Sequence, residues 1–112
     1  MDETTTVSVL KQLVADFVDE RNWDRYHTPK NLAMAISVEA ADLMELFRWY
    51  TPEECEDRMA ELKTRQAATE EIADVMILCM SFANRNGIDL SETISAKVKK
   101  NARKYPVGQG GV

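Results

Sequence analysis

Two pairs of carboxylates stand inside apolar helical segments, and they constrain the folding of this chain more than any other feature. Glu39 and Asp42 lie in NLAMAISVEAADLMELF, and Glu71 and Asp74 lie in EEIADVMILCMSFA. A spacing of three residues puts both carboxylates of a pair on one helix face. Carboxylates that face a core without a partner are costly to desolvate. We therefore predict that the two helices pack together with a cation between the pairs.

The type of ligand predicts the type of cation. Carboxylate oxygens suit Mg²⁺, with Mn²⁺ as the alternative. A di-iron bundle uses Glu-x-x-His motifs on two helices, but His27 is the only histidine. Zinc hydrolysis is disfavoured for the same reason. One acidic pair alone is weak evidence, because such pairs are common on solvated helix faces. Two pairs in the two most apolar helices strengthen the prediction.

Capping residues and apolar spacing divide the 112 residues into four main helices and one short helix. The first helix is expected to end near residue 21 and the second to span about 28–49. The short third helix starts at 51, and a break at 63–65 separates it from the fourth, at about 66–85. The last helix begins at 89 and ends before Pro106. No segment alternates with a period of two. The sequence therefore predicts an all-α bundle, one domain over residues 1–112 with a flexible tail at about 107–112.

The apolar faces of two helices predict how the bundle packs. The first helix should bury Leu10, Leu13, Val14 and Phe17. The helix at about 66–85 is apolar over more than half of its circumference, so it should be the central one. A core of this size leaves part of such a helix uncovered in a monomer, which predicts a homo-oligomer.

Composition excludes several classes of partner. A net charge of −5 argues against a general nucleic-acid-binding surface. Cys55 and Cys79 form no C-x-x-C pair, so we expect both thiols to be reduced and the protein to be intracellular. The N-terminus lacks the pattern of a signal peptide, and the longest apolar run is too short to span a membrane. We expect a soluble, cytoplasmic protein without a nucleic-acid or membrane partner.

Two further groups of side chains suggest a ligand. Lys97, Asn101 and Lys104 share one face of the last helix, where they favour phosphate binding, although a solvated basic face also suits a helix C-terminus. Trp23 stands in a polar connection and Trp49 near the end of the second helix. Both can stack on a nucleobase. Aromatic residues that plug the ends of the bundle are the alternative.

Four segments of the chain, ERNWDRYHTPKNL, EAADLMELFRW, EEIADV and KVKKNARKYP, carry a family resemblance. Together they resemble the all-α nucleoside triphosphate pyrophosphatases of the MazG-like group, and most closely the dCTP pyrophosphatase type. The resemblance implies Mg²⁺-dependent cleavage of a nucleoside triphosphate, dCTP or a related dNTP, to the monophosphate and pyrophosphate. It also implies a role in clearing surplus or non-canonical nucleotides, and a homo-oligomer, commonly a tetramer built as a dimer of dimers.

The resemblance also implies which residues form the site. The catalytic, metal-binding residues would be Glu39, Asp42, Glu71 and Asp74. The substrate-binding residues would be Trp23, His27, Lys30, Asn31, Trp49, Lys97, Asn101, Lys104 and Tyr105. Glu70 or Glu45 is a candidate for orienting the attacking water.

The chain departs from the family pattern at four positions. Val38 stands where an acid is usual, and Asp42 is one methylene shorter than the common Glu, which affects metal spacing. Relatives specific for dCTP carry polar or aromatic groups at the positions of Val14 and Leu78. These differences put the base selectivity in question rather than the reaction.

Two alternatives remain open. A non-catalytic helical module with an acidic face would bind a cation or a partner and would hydrolyse nothing. A phosphoribosyl-ATP pyrophosphohydrolase would share the acidic pairs. The stacking residues Trp23 and Trp49 resemble the dNTP branch better.

Overall fold

Helices form all the regular structure of residues 1–108 and 110, the part of the chain that the computed structural model describes. They are α1 (Val7–Glu20), α2 (Pro29–Glu45), α3 (Pro52–Ala60), α4 (Leu62–Arg85) and α5 (Leu90–Lys104), with a 3₁₀ turn (Asp24–Tyr26) before α2. The all-α prediction, with one short helix among longer ones, is confirmed. The tail expected at about 107–112 lies partly outside the described residues.

Four helices begin at the capping residues that the sequence predicted. Thr6, Thr28 and Asp89 each accept a hydrogen bond from the backbone N–H three residues further on. Thr51 and Glu54 form a complete capping box at the start of α3. Each cap satisfies backbone donors that a helix N-terminus leaves without a partner, so the local sequence determines where these helices begin.

Two of the predicted helix boundaries are wrong. α2 ends at Glu45 instead of near residue 49, because the backbone tightens into turns: Phe47 N–H donates to Met44 O (3.0 Å) and Tyr50 N–H to Phe47 O (3.1 Å). The break expected at 63–65 is absent. Only Glu61, with an extended ψ of 131°, separates α3 from α4.

α4 is the central helix, as predicted, and it packs mainly against α2 and also against α1 and α3. α2 runs antiparallel to α4. Its Leu32 is 1% exposed. Val14 and Val18 of α1 form a core cluster with Met80 of α4. None of the helices in the described residues combines the length and the apolar character needed to cross a bilayer.

The apolar face of α1 is buried less than the sequence predicted. Val14 is buried, but Leu10, Leu13 and Phe17 are exposed, and Val18 joins the core in their place. The accessible surface of 8861 Å² compares with about 6,200 Å² for a typical folded monomer of this mass. The radius of gyration of 16.7 Å likewise exceeds the usual value of about 13 Å. One chain therefore leaves much apolar surface uncovered.

A candidate metal and nucleotide site

Three of the four predicted carboxylates meet between α2 and α4. Oxygen atoms of Glu39, Asp42 and Glu71 all lie within 4.8 Å of one another. Glu39 and Glu71 are half-buried, whereas Asp42 is exposed. The spacing of three residues gives α2 two carboxylates on the face that it turns to α4. The antiparallel packing brings Glu71 opposite them.

Asp74 stands apart from this cluster. It is exposed, and its carboxylate is not among the group within 4.8 Å. It lies nearly one turn beyond Glu71 on α4, near enough for its charge to contribute to raising the pKa of Glu71. The cluster thus has three carboxylates at its centre and a fourth acid at its edge.

Glu71 carries the strongest electrostatic signature of the site. Its Oε2 is buried and has no hydrogen-bond partner. Burial raises the pKa of the Glu71 carboxyl above its ordinary value of 4.5, and the neighbouring carboxylates of Glu39, Asp42 and Asp74 raise it further. A buried, unpartnered carboxylate oxygen among other carboxylates fits a hard cation. The donor set, oxygen only, suits Mg²⁺ or Mn²⁺.

The raised pKa of Glu71 predicts a pH dependence of stability for the metal-free protein. The folded state holds this proton more tightly than the unfolded state, so the contribution of Glu71 to stability is complete below pH 4.5 and is lost as the pH rises through the folded-state pKa. The melting temperature should therefore fall through this window relative to that of Glu71→Gln, which lacks the titration. Thermal unfolding in a chelator at several pH values measures this difference. The exposed substitution Glu56→Gln should leave the slope unchanged, and a wild-type slope equal to that of Glu71→Gln would contradict the prediction.

The two candidates for orienting water differ in their surroundings. Glu45 ends α2, where its carboxylate contacts the guanidinium of Arg48 at 3.4 Å and accepts a hydrogen bond from Trp49 Nε1 at 3.3 Å. Glu70 is exposed beside Glu71 on α4. Because Glu45 is engaged with the tryptophan, the geometry favours Glu70.

Trp49 is held against the end of α2 with much of its indole in solvent. Its side chain is 68% exposed, and the guanidinium carbon of Arg48 lies 4.2 Å from the ring centroid. The sequence reasoning missed Arg48. The Glu45–Arg48 pair, spaced by three residues beside a tryptophan, is a signal that could have revealed it. The stacked arginine and the hydrogen bond from Glu45 give Trp49 a fixed orientation.

Trp23 is positioned by a turn at the end of α1. Asn22 adopts a left-handed conformation (φ 54°), and the Trp23 N–H donates to Val18 O at 3.1 Å. The indole then meets the ring of Phe17 edge-on, with ring centroids 5.5 Å apart. The turn thus places an exposed indole beside α1.

The two tryptophans lie at opposite ends of α2. The helix has 17 residues and is therefore about 25 Å long. Trp23 precedes it and Trp49 follows it. A nucleobase is far thinner than this distance, so Trp23 and Trp49 of one chain cannot enclose the same base.

The remaining predicted substrate residues are scattered. Asn31 Nδ2 donates to Tyr26 O at 2.9 Å and holds the connection against α2. Lys30 is exposed. His27 is half-buried and lines a pocket between α1 and the end of α4. Of α5, Lys97, Lys104 and the following Tyr105 are exposed, and Asn101 is half-buried. The cationic face of α5 is thus open to solvent rather than packed on the carboxylates of its own chain.

Comparison with known proteins agrees with this architecture. The model of the MazG-like family matches residues 34–111. dCTP pyrophosphatase 1 of Bos taurus is 35% identical over 102 residues (91% of this chain), and the Homo sapiens protein of the same name is 36% identical over 101 residues (90% of this chain). The chain spans about 60% of the length of the curated relatives it matches. The crystal structure of a pyrophosphatase from Archaeoglobus fulgidus superposes with a TM-score of 0.80 at 40% identity, over 87% of this chain and 89% of the other. The chain therefore belongs to the MazG-like family.

Proposed function

We propose that this protein hydrolyses a deoxynucleoside triphosphate, dCTP or a close relative, to the nucleoside monophosphate and pyrophosphate. The observation that carries the proposal is the carboxylate cluster, in which a buried oxygen of Glu71 has no partner. The names of the relatives, dCTP pyrophosphatase and pyrophosphatase, support the choice of reaction and substrate. Removal of surplus or non-canonical nucleotides is the corresponding cellular role.

The carboxylates are proposed to hold Mg²⁺ and to serve as the catalytic centre. Glu39, Asp42 and Glu71 would be the ligands, with Asp74 completing the set at the edge of the cluster. The chemistry that Mg²⁺ supplies in such a site is neutralisation of phosphate charge and activation of water. Glu70, the exposed residue that precedes Glu71 on α4, would orient the water that attacks the α-phosphorus, and the bond from that phosphorus to the pyrophosphate oxygen breaks.

The basic face of α5 is proposed to bind the phosphates that leave as pyrophosphate. Lys97 and Lys104 contribute point charges, Asn101 contributes an amide donor, and Tyr105 a phenol. The exposure of Lys97, Lys104 and Tyr105 supports this role, because a ligand or a second chain can reach them. Stabilising the charge that develops on the leaving pyrophosphate lowers the barrier to cleavage.

The complete site is proposed to form only between subunits, in a homo-oligomer such as a tetramer. Two observations support this. The exposed apolar residues of α1, α4 and α5 and the surface in excess of that of a typical monomer suit coverage by a second copy of this chain. A base held between Trp23 and Trp49 requires these residues from two different chains, because about 25 Å of α2 separates them within one chain.

A product assay tests the reaction. The protein is incubated with Mg²⁺ and, separately, with dCTP, dTTP, dUTP, dATP and dGTP, and the products are resolved by ion-exchange chromatography. We expect equal amounts of monophosphate and pyrophosphate, and no turnover in a chelator or with Asp74→Asn. Release of orthophosphate would contradict the proposal. No hydrolysis of any nucleotide would favour the non-catalytic acidic module.

A further inference from the structure

A pocket separate from the carboxylate cluster lies near the carboxyl ends of α1 and α4. It has a volume of about 190 Å³, and Ser81, His27, Asn84 and Asp19 are among the residues that line it. We infer that this pocket recognises the amino-bearing edge of a cytosine base, with Ser81 as a specificity-determining residue. The inference rests on the proposed function and assigns its base selectivity to residues of this pocket.

Two buried polar atoms without partners converge on this pocket. In the described residues, three side chains have a buried polar atom without a hydrogen-bond partner. Glu71 belongs to the carboxylate cluster. The other two, Ser81 Oγ and His27 Nδ1, both belong to residues that line this pocket. Ser81 is only 5% exposed. Buried polar groups are normally satisfied, so two such atoms at one pocket indicate a ligand that supplies the missing hydrogen bonds.

The charge distribution of the pocket favours a ligand that donates hydrogen bonds. α1 ends at Glu20 and α4 at Arg85, so two helix C-termini contribute partial negative charge nearby. Asn84 Nδ2 donates to Lys11 O at 2.9 Å, which leaves Asn84 Oδ1 as an acceptor. The one cation among the lining residues, Arg85, is paired with the carboxylate of Asp24 at 3.0 Å.

This arrangement matches cytosine better than uracil. The exocyclic amine of cytosine can donate to acceptors of the lining, Asn84 Oδ1 and the Asp19 carboxylate. Its neighbouring ring nitrogen accepts from a hydroxyl such as that of Ser81. Uracil carries a carbonyl in place of the amine, so its carbonyl oxygen would face the acceptor oxygens of Asn84 and Asp19 without a hydrogen between them. The pocket therefore discriminates by leaving its own buried polar groups unpaired with the wrong base.

The position of the pocket suits a nucleotide whose phosphates lie at the carboxylates. Ser81 follows Glu71 by ten residues on α4, which is about 15 Å along the helix axis. An extended nucleoside triphosphate has a comparable span between its phosphates and the far edge of its base.

The test compares dCTP with dUTP, which differ at this edge of the base. In Ser81→Ala, the ratio of kcat/KM for dCTP to that for dUTP should fall about fivefold to tenfold, the loss expected for one hydrogen bond. The melting temperature of the nucleotide-free variant should not fall, because the substitution removes a buried hydroxyl without a partner. Ser91→Ala, an exposed serine at the start of α5, should change neither quantity.

The outcomes separate this inference from the proposed function. An unchanged ratio, or an equal loss for both substrates, would overturn the inference. Ser81 Oγ would then be a hydrogen-bond partner of an ordered water instead of the base. If the wild type hydrolyses no nucleotide, the proposed function fails. In that case, binding of dCMP and of dUMP to the protein, measured by tryptophan fluorescence, tests the pocket independently of hydrolysis. A preference for dCMP that Ser81→Ala removes would support the pocket, and equal binding of both would refute it.

Discussion

Replacing Glu71 by glutamine is expected to reduce pyrophosphate release by at least about a hundredfold, while the fold stays as stable as the wild type at neutral pH or more so. Removing a residue that only orients a metal ligand already lowers metal affinity or activity about 10- to 100-fold. Glu71 is itself one of the proposed ligands. The amide keeps the size of the side chain. It removes a negative charge that is disfavoured by burial and by three neighbouring acids. Steady-state turnover and thermal unfolding of the metal-free variant measure the two effects.

Two further measurements make this result specific for metal binding. Mg²⁺ should raise the melting temperature of the wild type and leave that of Glu71→Gln nearly unchanged, because a ligand stabilises only the state that binds it. Glu56→Gln, an exposed substitution on α3, should behave like the wild type in both assays. A Glu71→Gln protein that turns over within tenfold of the wild type, or that loses activity only because it unfolds, would refute the assignment.

Mixing two impaired variants is expected to restore activity if the base lies between subunits. Trp23→Ala and Trp49→Ala should each lose roughly 5- to 100-fold in kcat/KM, the value of one stacked aromatic ring. Subunits unfolded together and refolded at equal concentration form mixed assemblies. In a mixed pair with twofold symmetry, one site lacks both tryptophans and the other has both. About a quarter of the wild-type sites should therefore return.

The composition of the mixture provides the control. Arg25→Ala, an exposed substitution in the 3₁₀ turn, should give no recovery when mixed with Trp49→Ala beyond the activity of its own subunits. Activity of the two tryptophan variants that stays additive after mixing would show that each chain uses only its own tryptophans. In that event one indole, rather than two, would contact the base.

Much of the fold was predictable because local chemistry determines it. Thr28, Thr51 and Asp89 cap helices through contacts within a few residues, so their sequence neighbours suffice. The end of α2 was not predictable, because the apolar pattern continues through residues 46–49 while the backbone tightens into turns. The stretch 62–66 is polar in pattern but contains no glycine or proline, so α4 starts at Leu62 and buries Thr64.

The site was predictable only in part, because sequence gives the spacing along one helix but not the pairing between helices. The acidic pairs were recognised from their spacing. That Asp74 stands at the edge of the cluster depends on how α2 and α4 face each other. The pocket proposed for the base was missed for a similar reason. Ser81 is one hydroxyl in an apolar run, and only the packing of the helices places it in one pocket with His27, 54 positions earlier.

The length of α2 has a consequence for how catalytic capacity scales with the amount of protein. If the base lies between tryptophans of two chains, a chain with one tryptophan at each end of α2 carries two halves of different sites, and complete sites are then counted by contacts between subunits and not by chains. Turnover per chain would then fall on dilution, as assemblies dissociate, and would saturate at high concentration. The abundance of the protein would thereby set both the number of catalysts and the fraction of them that is complete.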